Sequence, residues 1–386
     1  LEKAVKDIQE LANSSKLANM DQFATLMISE GFSRRKEYAK AVQMLTKFYQ
    51  ENPSKIPTDL ISNRIVQYIN DDLQDMVDQG QFIKALKLHN QYSETWMKSS
   101  GRIDTKYNVG RAFEQSGVFK QAQGLYQETL NKLYAMKGTD ADKVRSVTEH
   151  LPSEDSVNLR LATVEAQQGH YSQAFEGLKN IKNPQNLTER EQIERVQLAA
   201  QLLDQRGETD SAIRYLTELL KEWSGIPALV AEPYLDLAQL ELKQNKADDA
   251  IQSLKKINTL MDDSQKVNPG THARALEILG DIQLKKGLKN EAAGTFEKLI
   301  SLYEKSRPLA SYRYKVGQIY FEKGEIKKAA EVWNDLKDEK NDFWYKLSQE
   351  QLRGSEWKDE YKKYIKRIPA MSGSSATPAP APAERK

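Results

Sequence analysis

The chain has 386 residues, 39% of them hydrophobic and 29% charged, with 57 basic side chains against 55 acidic and a formal charge of +2. The two signs are interspersed, which excludes the basic face or block of an ordinary nucleic-acid binder, and no run approaches the 18 apolar residues a membrane-spanning helix needs. Cysteine is absent, which excludes disulfides, cysteine-ligated zinc and thiol chemistry and suits an oxidising compartment.

Taken in chain order, the opening LEKAVKDIQELA places Ala4, Ile8 and Leu11 on one helical face. Residues 1–16 read as the second helix of a pair whose first helix would lie upstream. From 17 to 338 one outline recurs: an apolar-striped helix, a turn, and a second helix with alanine five residues past the turn. EYAKAVQML carries Ala41, and DQGQFIKALKLH carries Gly80 and Ala85. YNVGRAFEQSGVFKQAQGLY has Gly110, Gly117 and Ala122, and LATVEAQQGHYSQAFEGL has Ala162, Gly169 and Ala174. The next three copies have Ala200, Gly207 and Ala212, then Ala238, Asn245 and Ala250, then Gly280, Gly287 and Ala292. YKVGQIYFEKGEIKKAAEVW closes the series with Gly317, Gly324 and Ala329. The second-helix alanines are spaced by 44, 37, 52, 38, 38, 42 and 37 residues.

The spacing has a physical reason. Two antiparallel helices approach closely only where neither carries a bulky side chain, so Gly317 and Ala329 mark a seam. Val316, Ile319 and Tyr320 on one helix and Ala330, Trp333 and Leu336 on the other supply the apolar stripes at three- and four-residue intervals. One such hairpin cannot bury its apolar face alone, so neighbours must stack. Longer loops are expected at 52–59 and 138–155. An apolar loop is expected at 222–233, tucked against the next hairpin.

Residues 339–368 repeat the outline with Gly354 at the turn, but Asp359 stands where alanine is due. They read as a capping helix pair, with Phe343, Trp344, Leu347, Leu352, Trp357, Tyr361 and Tyr364 docking inward. The Ala/Pro-rich stretch 369–386 reads as a disordered tail.

This pattern resembles the tetratricopeptide repeat, whose two-helix unit wants a small residue in the first helix, glycine at the turn, alanine in the second helix and an aromatic or leucine four residues later. Tyr126, Leu178, Leu216, Leu254, Phe296 and Trp333 fill that last position. The resemblance implies an all-α, right-handed superhelical solenoid of antiparallel helix pairs, about eight repeats plus the capping pair. The steps exceed the family's 34 residues, and bulky residues such as Phe48, Tyr92 and Leu299 replace its final small residue.

No catalytic or metal-binding pattern is present. His89, His150, His170 and His272 form no metal-ligand spacing, and no phosphate loop, nucleophile elbow or calcium loop occurs. Neither enzymatic activity nor a cofactor or metal is expected.

The resemblance implies instead a non-catalytic scaffold that takes a protein or peptide partner, and neither nucleic acid nor a membrane, along a groove lined by the first helices. Carrying the family's groove offsets over gives Tyr107, Arg111 and Gln115; Gln201 and Gln205; Gln239 and Lys243; Arg274, Asp281 and Lys285; and Tyr314, Lys315, Gln318 and Glu322. The paired Lys and Asn with which one subtype grips a C-terminal carboxylate are replaced here by pairs such as Tyr107 and Arg111, or Gln197 and Gln201. The cysteine-free composition and Ala/Pro-rich tail point to a bacterial envelope, secretion or motility assembly in the periplasm. The alternative is a cytoplasmic regulatory receptor with an effector domain upstream.

Overall fold

A computed structural model describes residues 2–14, 20–52, 58–98, 100–264, 266–337 and 342–367. The tail at 369–386, loop residues 53–57 and the side chains of Ala4 and Tyr364 lie outside the described residues. Every described element is helical, and the chain divides into two compact units, Leu1–Glu222 and Trp223–Lys386.

The first unit opens with α1 (Glu2–Ser14), packed on α2 (Met20–Arg34). Helix α2 pairs with α3 (Tyr38–Glu51), α4 (Thr58–Asp78) with α5 (Phe82–Tyr92), and α6 (Ile103–Gln115) with α7 (Phe119–Met136). After the short α8 (Asp140–Thr148) come α9 (Glu154–Gln167) with α10 (Tyr171–Lys179), and α11 (Glu189–Gln205) with α12 (Thr209–Glu222). In the second unit α13 (Pro227–Lys243) pairs with α14 (Ala247–Ser264), α15 (Pro269–Lys285) with α16 (Lys289–Tyr303), and α17 (Ala310–Glu322) with α18 (Ile326–Asn334). Helix α19 (Asp342–Arg367) packs on α17 and α18. Within each unit the second helix of a pair also packs on the first helix of the next, as in α3 on α4 and α16 on α17, so the core is a continuous seam.

Each pair turns at a residue of positive φ: Lys36, Gly80, Gly117, Gly169, Gly207, Asn245, Gly287 and Gly324. Six of the eight turns use glycine; Lys36 adopts φ 62° and Asn245 φ 59°, the latter because its short polar side chain tolerates the left-handed region. The eight alanines five residues past these turns are all buried, at 1% exposure or less. A methyl group is what the seam between paired helices holds.

Three expectations are corrected. The 138–155 stretch is not one loop: α8 forms within it, with Thr139 as N-cap accepting from the Asp142 amide. This inserted helix accounts for the 52-residue step. The 222–233 stretch is largely helical too, since Pro227 starts α13 and its fixed φ suits a first helical position. Val230, Ala231 and Pro233 are buried there. The capping pair is one helix, which runs through Gly354 without a turn. With Asp359 where an alanine would close a seam, no packing rewards a second hairpin. Trp344, Leu347 and Leu352 dock on the core, whereas Phe343, Trp357 and Tyr361 are exposed.

Candidate functional site: a cleft lined by first helices

Four successive first helices of the first unit, α4, α6, α9 and α11, border a cleft of about 1030 Å³, with residues 150–153 contributing to its wall. Local sequence sets the helix starts. Ser153 caps α9 by accepting from the Ser156 amide at 2.9 Å. Thr188 and Glu191 form a capping box on α11. Glu191 does more than cap, because its carboxylate also accepts from Ser156 Oγ at 3.1 Å and Tyr107 Oη at 3.4 Å. One glutamate thereby ties α11 to α9 and α6.

The floor is a buried charge cluster. Arg160 on α9 donates to Glu114 on α6 at 3.3 Å and also to Glu194 on α11, and Tyr126 Oη donates to Glu114 at 2.6 Å. Burial disfavours the charged guanidinium, but the Glu114 and Glu194 carboxylates outweigh it and hold Arg160 protonated, its pKa well above the usual range. Burial likewise opposes ionisation of Glu194, yet Arg160 and Arg190 win and lower its pKa. Burial first, then the Glu114 charge, keeps the Tyr126 phenol un-ionised.

The wall at 150–153 is held by the insert that contains α8. Glu149 accepts from the Ile103 amide at 2.8 Å and from Arg145 at 2.8 Å. The buried Asp104 accepts from the His150 amide at 3.0 Å and from Asn70 at 3.0 Å.

Of the residues expected to line a groove, Tyr107, Arg111 and Gln115 come together in this cleft. Arg111 pairs with Asp78 of α4 at 3.0 Å, and Gln115 is exposed. Tyr107 is a correction: its ring is buried against Tyr126 at 5.8 Å between centroids, and burial raises its pKa. It forms the floor rather than a flat contact surface. Gln201 and Gln205 are exposed on α11, as are Gln239 and Lys243 on α13 and Arg274 and Lys285 on α15. Asp281 and Lys315 bind each other at 2.6 Å, linking α15 to α17. Gln318 and Glu322 are exposed on α17 and bonded at 3.1 Å. Tyr314 is the second correction, buried and stacked on Trp333 at 5.7 Å.

Glu114, Arg160, Glu191 and Glu194 were not singled out from the sequence. A signal existed for one of them. Glu114 stands four residues past Gly110, where four other first helices carry Ala166, Leu242, Leu284 and Phe321 and α11 carries Asp204. A carboxylate at a core position requires a buried partner.

The arrangement is one of fixed, internally paired charges. Among the described residues no cluster of three or more His, Asp or Glu could hold a metal ion, and no helix is long and apolar enough to cross a membrane.

Paired helices turning at a left-handed residue and stacking through alanine seams define an α-solenoid of two-helix repeats. Residues 198–258 and 274–306 match tetratricopeptide-repeat family models, so the chain carries tetratricopeptide repeats. No curated protein matches it. Among solved structures it resembles a signal-transduction ATPase with a tetratricopeptide-repeat sensor from Pyrococcus horikoshii, at 14% identity and TM-score 0.51, over 87% of this chain and 53% of that one. It also resembles a tetratricopeptide-repeat protein from Parabacteroides merdae, at 16% identity and TM-score 0.49, over 76% and 97% of the two chains. A third likeness is to the Cut9–Hcn1 tetramer of the APC/C, at 13% identity and TM-score 0.45; this chain spans 90% of its own length and 59% of that one. Repeats of this family are typically non-catalytic and serve as protein-interaction scaffolds.

Proposed function

We propose that the chain is a non-catalytic scaffold that holds a partner polypeptide in the cleft between α4, α6, α9 and α11. The observation that carries this reading is the cleft itself, about 1030 Å³ bordered by four successive first helices. Its floor is pinned by Arg160 between Glu114 and Glu194. Such a floor presents its hydrogen-bonding groups without reorganising, and Arg111, Gln115 and Arg190 at the rim supply donors for an extended backbone or a helix.

The test is capture from an extract of the source organism on immobilised full-length chain, wild type against Arg111→Ala/Gln115→Ala/Arg190→Ala. These rim residues replace the buried Tyr107 and Tyr314 as the informative positions, since removing either ring would damage the core. Loss of one or more captured proteins with the variant supports the reading, and equal yields from both remove it. The setting we propose is a bacterial envelope assembly, on the cysteine-free composition alone. Fractionation of the source cells tests that separately.

A further inference from the structure

A second cleft of the first unit, about 1000 Å³, lies between α7, α9 and α10 and is closed at one end by the turn at 182–186. Helix α7 has 18 residues and α10 nine, so α10 cannot run the full length of α7. Gly177 keeps the floor shallow where α10 meets α9: a Cβ there would stand 3.0 Å from that of Ala162.

The lining is rich in carboxamides: Gln127, Asn158, Gln173, Asn180 and Asn183, with Tyr134 beside them. The carboxylates of the cleft are already engaged by the protein. Glu154 pairs with Lys137 at 2.6 Å and Glu176 with Lys179 at 2.7 Å. Asp155 accepts from the Lys182 amide at 2.8 Å and Asn186 at 2.9 Å, and Glu165 accepts from Gln123 and binds His170. Asn158 stands apart. It is only 6% exposed, it lines the cleft, and it has no hydrogen-bond partner among the described residues. Its amide atoms are not among the sealed, unpartnered ones, which among the described residues include those of Asn108, so they reach the open cleft. Its donor and acceptor are offered to whatever enters.

We infer that this cleft is a second binding site, for an extended polypeptide segment. A carboxamide carries an N–H and a C=O side by side, the same pair a peptide group presents, so each Asn or Gln can bond main chain without regard to sequence. Leu130 and Leu161 give the alternate side chains of such a segment an apolar floor. A glycan fits less well, because its many hydroxyl donors seek carboxylate acceptors, and those of the cleft are occupied. The site does not depend on the first-helix cleft.

The test is selection of a displayed library of random twelve-residue peptides on the intact chain, followed by binding measurements with the selected peptides. Three variants are compared: Asn158→Ala, Gln127→Ala/Gln173→Ala on the exposed rim, and Arg111→Ala/Arg190→Ala in the other cleft. The expected result is a loss of affinity of tenfold or more in the first two and none in the third. Should Asn158→Ala fail to fold, the rim pair alone decides. The inference is overturned if no peptide is enriched or if the rim pair leaves affinity unchanged. It is overturned equally if only the third variant loses binding, or if chitotetraose or maltotetraose binds here and peptides do not.

Discussion

Gly317 of α17 lies directly against the indole of Trp333 on α18, where a Cβ would overlap Nε1 and its neighbouring ring carbons. The indole N–H is satisfied by the Tyr314 carbonyl at 3.0 Å. The same pairing recurs as Gly110 with Tyr126 and Gly280 with Phe296. Where the first helix carries Ala162, Ala200 or Ala238 instead, the partner position holds Leu178, Leu216 or Leu254. Small meets large and medium meets medium, so the seam holds its volume. Helix propensity alone would make Gly317→Ala stabilising by about 1 kcal/mol. The ring makes it destabilising, by about 1–3 kcal/mol through overpacking. The double change Gly317→Ala/Trp333→Leu recreates the pairing of the alanine repeats. Its cost should fall short of the sum of the single changes by about 1 kcal/mol or more in denaturant unfolding. Additive costs would mean that the two positions are independent.

That seam was legible before any coordinates. The glycine-to-alanine offset of five residues is local, and the eight alanines it marks are the buried ones. The composition of the first-helix cleft was less legible. Arg160 reaches Glu114 across 46 residues and Glu194 across 34, and contacts spanning three hairpins leave no fixed spacing in the chain. Tyr107 and Tyr314 were placed on the groove by family offsets. Both instead roll over the small residues beside them onto the aromatic partners Tyr126 and Trp333. Helix α8 was hidden for a different reason: DADKVRSVT has few apolar residues to betray a periodicity.

The two glycines Gly324 and Gly354 looked alike in the sequence and should respond oppositely to alanine. Gly324 sits at φ +81°, a conformation that costs an L side chain about 1–2 kcal/mol, so Gly324→Ala should lower stability by about that much. Gly354 is inside α19 with open space where a Cβ would go, so Gly354→Ala should raise stability by up to about 1 kcal/mol. Thermal unfolding of both variants checks this. Loss of stability in Gly354→Ala would restore the hairpin in place of the single helix.

Arg160 is the residue whose removal should damage the first-helix cleft most. Arg160→Gln leaves Glu114 and Glu194 facing each other across a buried gap, and breaking a buried pair in this way costs about 3–5 kcal/mol. The sign of the pH dependence follows from Glu194, whose pKa in the folded protein is lowered from 4.5. Its stabilising contribution is therefore complete above the unfolded value and lost as pH falls through the lower folded one. The gap between wild type and Arg160→Gln should narrow as pH is taken below about 4.5, because the stranded carboxylates can then be neutralised. A gap that stays constant as pH falls from 7 to 3 would show that the cluster is not held by charge.

His272 makes a second pH prediction, with the window set by a base. Its ring is fully buried, with Nδ1 2.6 Å from Tyr303 Oη and Nε2 3.1 Å from Asn258 Oδ1. The neutral Nε2–H tautomer satisfies both, donating to the carboxamide oxygen and accepting from the phenol. Burial first, then the Lys298 ammonium, lowers its pKa from 6.5, with Asp262 opposing. The unfolded chain thus takes up a proton at His272 before the folded one does, and stability is lost as pH falls from 6.5 toward the lower folded value. His272→Gln should cost about 1–3 kcal/mol at pH 7 by leaving buried partners unmet. It also removes the proton uptake, so its unfolding free energy should decline less than that of wild type between pH 7 and pH 5. The two pH profiles should therefore converge on acidification, and parallel profiles would mean that His272 is not held neutral in the folded core.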